Sequence, residues 1–159
     1  MKVDIVCVGK IKEKFYVEAL GEYSKRLSKY ARFEIIEVED EKTPDKASEA
    51  LEDQIKAKEA ARILPKLKED ALVISLEILG QKMDSVKFAD MIEKAGVQGK
   101  SHIQFVIGGS LGLHDSVTKR ANKHLSFSDM TFPHQLMRVV LAEQIYRAFR
   151  IISNEPYHK

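Results

Sequence analysis

Short apolar, mostly β-branched runs alternate along this chain with longer segments in which apolar side chains recur at helical spacing. The short runs lie at residues 2–8, 33–38, 71–76, 103–107 and 124–126. Such an alternation is typical of an α/β domain in which crossover helices join mainly parallel strands. The sequence therefore predicts a mainly parallel sheet of about five strands, flanked by helices.

The segments between these runs predict five helices. Their approximate bounds are 15–30, 45–67, 86–95, 115–122 and 133–152. Thr43 and Pro44 suit the cap and the first turn of the second helix. Apolar and acidic residues alternate at 33–38, which predicts an edge strand with one wet face, whereas the runs at 71–76 and 103–107 predict buried strands.

Length and composition exclude several classes of protein. A chain of 159 residues with 31% charged side chains has room for one core, so we expect a single domain over residues 1–159. No stretch approaches the ~20 apolar residues of a membrane span, and no signal peptide is recognisable, so we expect a cytoplasmic protein without membrane contact. The single cysteine, Cys7, excludes a disulfide within the chain and predicts a small buried apolar side chain.

The net charge of +2 hides an uneven distribution. Residues 10–32 carry a surplus of four basic side chains, and residues 114–159 carry a surplus of three. Basic segments at both ends of a chain suit a polyanionic partner such as RNA, although solvated helix faces would give the same count.

The last predicted helix is apolar almost all round. A broad face holds Met137, Leu141, Ile145 and Phe149, and further apolar residues cover much of the remaining surface. A helix of this kind is buried on two sides, and a second subunit can cover the outer side, so we predict a homodimer. Arg138 falls inside the apolar face, where its guanidinium needs a carboxylate across the interface or a place in a binding site.

A glycine cluster, Gly108–Gly112, follows the fourth predicted strand directly. Consecutive glycines let the backbone approach a ligand closely, and ligands of open α/β sheets bind beyond the carboxyl ends of the strands. The cluster lacks the motifs of a nucleotide P-loop and of a dinucleotide turn, and a simple tight turn is the alternative. It also matches the Gly-x-Ser-x-Gly elbow of serine hydrolases, with Ser110 as nucleophile and Asp129 followed by His134 or His158 in the expected order.

Three separated motifs together carry a family resemblance. They are Phe105–Leu113, Leu125–Arg138 and the tail Pro156–Lys159, and the opening residues and total length also fit. The chain resembles the large-subunit ribosomal RNA methyltransferase H family of the SPOUT class over essentially its whole length. The resemblance implies an α/β fold with a C-terminal trefoil knot, a homodimer, and methyl transfer from S-adenosylmethionine to N3 of a pseudouridine in 23S rRNA within the assembled ribosome.

The resemblance also implies a set of donor-binding positions, and no metal is expected. The positions that match are Leu76, Gly108, Phe127, Ser128, Asp129, Met130, Thr131 and Phe132. They come from three segments that would converge on one pocket.

The chemistry of the reaction suggests which side chains take part. The methyl group is already activated, so the protein must orient the acceptor and assist removal of the imide proton from N3. His134, Tyr157 and His158 are the candidate bases or orienting groups, with a tyrosinate stabilised by cations as one form. Arg138, together with Arg147 and Arg150, could hold RNA phosphate or negative charge. Other RNA targets, a serine hydrolase and a non-catalytic ribosome-binding protein are the alternatives.

Overall fold

A computed structural model describes all residues from Met1 to Lys159. It contains five strands and five α-helices in alternation, with one short 3₁₀ turn at Leu64–Lys66. The elements are β1 (Lys2–Val8), α1 (Lys14–Leu27), β2 (Arg32–Val38), α2 (Glu49–Ile63), β3 (Leu72–Lys82), α3 (Ser85–Val97), β4 (His102–Ile107), α4 (Asp115–Arg120), β5 (Lys123–Ser126) and α5 (His134–Ile152).

All five strands belong to one sheet, in the order β2-β1-β4-β3-β5. Every neighbouring pair is parallel, with Ile5 of β1 opposite Ile35 of β2 and Phe105 of β4. The predicted mainly parallel sheet is confirmed, and β2 is an edge strand as expected. Because the strands are parallel, their carboxyl ends meet at one edge of the sheet, where ligands bind in open α/β folds.

Helices cover both faces of the sheet. In β1, Val3, Ile5 and Cys7 point to the face covered by α1, α3 and α5, while Val6 and Val8 point to the face covered by α2 and α4. Both apolar clusters are fully or almost fully removed from water. Cys7 is a buried core residue, as predicted, and its burial raises the pKa of the thiol to about 12.

Two elements differ from the sequence prediction. The second helix begins at Glu49 rather than near Asp45, and Ser48, not Thr43, caps it by accepting a hydrogen bond from the Leu51 amide at 3.2 Å. Strand β3 continues six residues beyond Leu76 and pairs with β5 a second time near its end. The longer β3 matters below, because its residues line the rim of the candidate site.

No helix in the molecule is both long enough and apolar enough to span a lipid bilayer. The single domain and the trefoil knot stay predictions.

Candidate active site

A cleft of about 570 Å³ opens where β3, β4 and β5 reach the carboxyl edge of the sheet. Strand β3 supplies one wall, the glycine cluster after β4 supplies the floor, and the loop between β5 and α5 supplies the opposite wall. The structure places seven of the eight residues predicted to bind the methyl donor on this cleft. These are Leu76, Gly108, Phe127, Ser128, Met130, Thr131 and Phe132.

The glycine cluster folds back on itself as a tight turn. The Gly112 amide donates a hydrogen bond to the Gly109 carbonyl at 3.0 Å. A Cβ atom on Gly108 would lie 2.7 Å from the carbonyl carbon of Gly112, closer than any real side chain tolerates. Only glycine fits position 108, and the main chain of Gly108 therefore forms part of the cleft surface itself.

The loop from Phe127 to Phe132 is held by its own serines. Ser126 donates from its hydroxyl to the Ser128 carbonyl at 3.2 Å, and the Ser128 hydroxyl accepts from the Met130 amide at 3.0 Å. These bonds present Met130 and Phe132 as exposed apolar side chains beside the cleft. Such surfaces can contact a flat heterocycle such as adenine on its apolar faces.

Asp129 is the one predicted donor-binding residue that does not line the cleft. Its carboxylate points outward and pairs with the Lys82 ammonium at 2.5 Å, with four-fifths of the Asp129 side chain exposed. The structure therefore places Asp129 on the outside of the loop, where it joins the loop to the end of β3.

His134 begins α5 and lines the cleft. Burial, and then the neighbouring positive charge of Arg138, hold the pKa of the His134 imidazole below its usual value. The ring is therefore neutral at neutral pH. Its Nδ1 atom is buried without a hydrogen-bond partner in the chain.

Arg138 lies one helical turn after His134 and is completely buried. Its guanidinium donates to Glu37 at 2.8 Å and to the carbonyls of Val8 and Gly9 at 2.8 and 2.7 Å. The carboxylate that pairs with Arg138 is thus on the same chain, rather than across a subunit interface, and the guanidinium does not line the cleft. Through these bonds Arg138 holds the first turns of α5 against the ends of β1 and β2, and this fixes the position of His134.

Tyr157 and His158 follow α5 and fold back along it, and neither lines the cleft. His158 lines a neighbouring depression together with Ser126 and Phe127. The Tyr157 hydroxyl donates to Glu143 at 3.0 Å, and its ring carries the Arg147 guanidinium 4.7 Å from its centre. Arg147 also contacts the Nδ1 atom of His158 at 3.3 Å. Burial, and then the hydrogen bond to Glu143, raise the pKa of Tyr157, so the expected tyrosinate is not formed in this arrangement.

Glu59 is a site residue that sequence reasoning missed. Its side chain is buried, its carboxylate accepts the Glu41 amide at 3.1 Å, and it lies 3.2 Å from where a Cβ of Gly109 would be. Burial raises the pKa of this carboxyl. The spacing of Glu59 along the helix indicates its burial. It stands four residues after Ile55 and four before Ile63, on the buried stripe of α2.

The arrangement does not support the hydrolase alternative. Ser110 is exposed on the turn. His134 lines the same cleft, but its Nδ1 atom has no hydrogen-bond partner, and no carboxylate orients the ring. Asp129 pairs with Lys82, and His158 contacts Arg147. A nucleophilic serine needs a base within hydrogen-bond reach and a third group that orients the base.

Comparison with known proteins identifies the family. The model of a family described as "Predicted SPOUT methyltransferase" matches residues 1–158. Proteins named Ribosomal RNA large subunit methyltransferase H from Bifidobacterium animalis subsp. lactis (strain AD011) and Clostridium botulinum (strain Kyoto / Type A2) are each 58% identical to this chain, over the full length of both partners.

Solved structures agree on the fold. A probable methyltransferase from Bordetella pertussis Tohama I superposes with a TM-score of 0.57 at 12% identity, covering 93% of this chain and 96% of its own. The tRNA (m1G37) methyltransferase from Aquifex aeolicus gives a TM-score of 0.54 at 13% identity, covering 100% of this chain and 75% of its own. Given the sequence identities over the whole length, the chain belongs to the ribosomal RNA large subunit methyltransferase H family of the SPOUT methyltransferases.

Proposed function

We propose that this enzyme transfers a methyl group from S-adenosylmethionine to N3 of a pseudouridine in 23S rRNA, acting as a homodimer on the assembled ribosome in the cytoplasm. The observation that carries the proposal is the convergence of three segments, β3, the Gly108 turn and the loop 127–132, on one cleft. The full-length relatives named for large-subunit ribosomal RNA support the choice of substrate.

The cleft suits the methyl donor in its chemistry. Leu76, Phe127, Met130 and Phe132 offer apolar surface for an adenine ring, and the backbone at Gly108 is open to close approach. S-adenosylmethionine supplies a methyl group already activated by its sulfonium. The chain therefore has only to hold the donor, orient the acceptor and help remove a proton.

His134 is the residue best placed to handle that proton. It is the one candidate base on the cleft of its own chain, and its lowered pKa keeps it neutral at neutral pH. A neutral imidazole can accept the imide proton of the acceptor base, or can orient that base by a hydrogen bond. Arg138 then acts as a positioning residue, since it holds the first turn of α5 against β1.

In a dimer, Tyr157 and His158 of one subunit act at the cleft of the other subunit. The tail folds back to Glu143 near the middle of α5. His158 lines a depression that also contacts Phe127, yet neither tail side chain lines the cleft of its own chain. If two copies of α5 pair in antiparallel fashion, the tail of one subunit lies beside the cleft of the other. Leu136 and Val140, which are half-buried and outside both core clusters, provide an apolar stripe for that pairing.

Calorimetric titration with S-adenosylmethionine tests the donor site. We expect saturable binding by the wild type, and at least about tenfold weaker binding by Gly108→Ala, because the new Cβ would displace the turn. Gly21→Ala is the matched control, since a Cβ there meets nothing within 4 Å. A folded protein that does not bind the donor would contradict the proposal.

The acceptor is tested with ribosomes from cells that lack this modification. Methyl-labelled donor, purified ribosomes and enzyme are incubated, and the 23S rRNA is digested to nucleosides for mass spectrometry. We expect label in a pseudouridine methylated at N3. Label in another nucleoside would support methyltransferase activity and contradict pseudouridine N3 as its target.

A further inference from the structure

Strand β3 makes an excursion at the rim of the cleft. Leu76 and Gln81 both pair with Leu125 of β5, so the four residues between them form a bulge. Gly80 returns the chain to the sheet so closely that a Cβ on it would lie 2.7 Å from the backbone of Leu125. The bulge leaves Leu79 97% exposed, an unusual state for a leucine within a strand.

Two lysines flank this leucine. Lys119 on α4 and Lys123 at the start of β5 line the same shallow depression as Leu79. Both side chains are exposed and lie outside the ion pairs of the chain, unlike Lys82, which is neutralised by Asp129. We call Leu79, Lys119 and Lys123 together the Leu79 ridge.

The one carboxylate on this depression is already engaged. Glu77 contacts the Nδ1 atom of His124 at 2.5 Å and accepts from the Ser75 hydroxyl at 2.6 Å. The Glu77 carboxylate therefore points toward partners within the chain. Glu77 lines both the depression and the donor cleft, so the Leu79 ridge lies directly beside the place of methyl transfer.

We propose that the Leu79 ridge binds the ribosomal RNA strand next to the nucleotide that enters the cleft. Two unpaired ammonium groups suit successive phosphates, and an exposed aliphatic side chain suits the face or edge of an unstacked base. Subunit interfaces are depleted in lysine at their centres, which disfavours a second copy of this chain as the occupant. The inference rests on the proposed function, since it takes ribosomal RNA as the substrate.

The lysines are tested by the double variant K119Q/K123Q, with K58Q/K66Q as the matched control. Lys58 on α2 and Lys66 before β3 are exposed, and neither belongs to an ion pair. We expect the ridge variant to co-sediment with purified 70S ribosomes about tenfold more weakly, with a salt dependence reduced by about two phosphate contacts. Binding equal to that of the control variant would overturn the proposal.

Kinetics and subunit mass complete the test. In methyl-transfer assays K119Q/K123Q should raise the KM for ribosomes while kcat and the Kd for S-adenosylmethionine stay within twofold. Leu79→Ser should raise the same KM several-fold and leave the mass in light scattering unchanged. If L79S changes the subunit mass, the ridge is a contact between copies and the proposal is wrong. Absence of methyl transfer by the wild type would instead contradict the proposed function, because co-sedimentation judges the ridge independently.

Discussion

At the scale of single residues, Arg138 shows how a charge inside an apolar helix face is accommodated. A buried guanidinium needs hydrogen-bond partners, and here its two terminal nitrogens meet Glu37 and two carbonyls at the end of β1, while its Nε has no partner. These partners come from segments about a hundred residues away in sequence. The helical projection identified the need for a partner, but could not identify Glu37.

The same guanidinium acts on His134, which yields a prediction about pH. The pKa of His134 is lower in the folded chain than in the unfolded chain, so at acid pH the unfolded state binds more protons. The stability that a neutral His134 contributes is complete above about pH 6.5 and is lost as the pH falls through the lower, folded pKa. We expect the urea midpoint of the wild type, measured relative to His134→Gln, to fall between pH 8 and pH 5.

The pH dependence of kcat for the wild type and H134Q gives a second test. If His134 accepts the proton, kcat of the wild type declines on the acid side, and H134Q loses most activity at every pH. A midpoint difference that stays constant from pH 8 to pH 5 would show that the ring is not held neutral by the fold.

At the scale of elements, the bulge of β3 depends on one glycine. A Cβ at Gly80 would press on the backbone of His124 and Leu125, which cannot give way as a side chain could. We expect Gly80→Ala to lower the free energy of unfolding by about 1–3 kcal/mol. Gly21→Ala, in the exposed interior of α1 with open space around it, should raise it by about 0.5–1 kcal/mol. Equal effects in urea denaturation would mean that the bulge relaxes freely.

Local pattern predicted the existence and order of the elements, and tertiary contacts account for its errors. Apolar runs and helical spacing located every strand and helix, because both signals reside in neighbouring residues. The start of α2 was wrong because Ser48, rather than Thr43, caps the helix by accepting from the Leu51 amide. The end of β3 was wrong because its last residues are ordered by β5, which lies more than forty residues further along the chain.

The candidate site likewise has parts that local sequence predicted and parts that depend on tertiary contacts. The glycine turn and the loop 127–132 could be predicted because their residue types are unusual and contiguous. Glu59 was missed because it looks like one more charge on a charged helix until its spacing from Ile55 is considered. The position of Tyr157 outside the cleft could not be predicted, since it depends on the tail folding back onto Glu143 and Arg147 of α5.

At the scale of the whole molecule, the position of the tail makes the oligomeric state a matter of function. Tyr157 and His158 do not line the cleft of their own chain, so we propose that a second copy of the chain supplies them there. Light scattering should then give a mass near twice the 18.1 kDa of one chain. Val140→Asp places a charge on the outer stripe of α5 and should yield monomers that no longer methylate ribosomes.

The matched control for V140D is Val97→Asp, at the exposed end of α3, where 84% of the side chain already meets water. That variant should remain dimeric and active. Loss of activity together with loss of the dimer would indicate that the tail of one subunit acts at the cleft of the other. A monomeric V140D that still methylates ribosomes at the wild-type rate would show instead that one chain holds a complete site, with Tyr157 and His158 outside it.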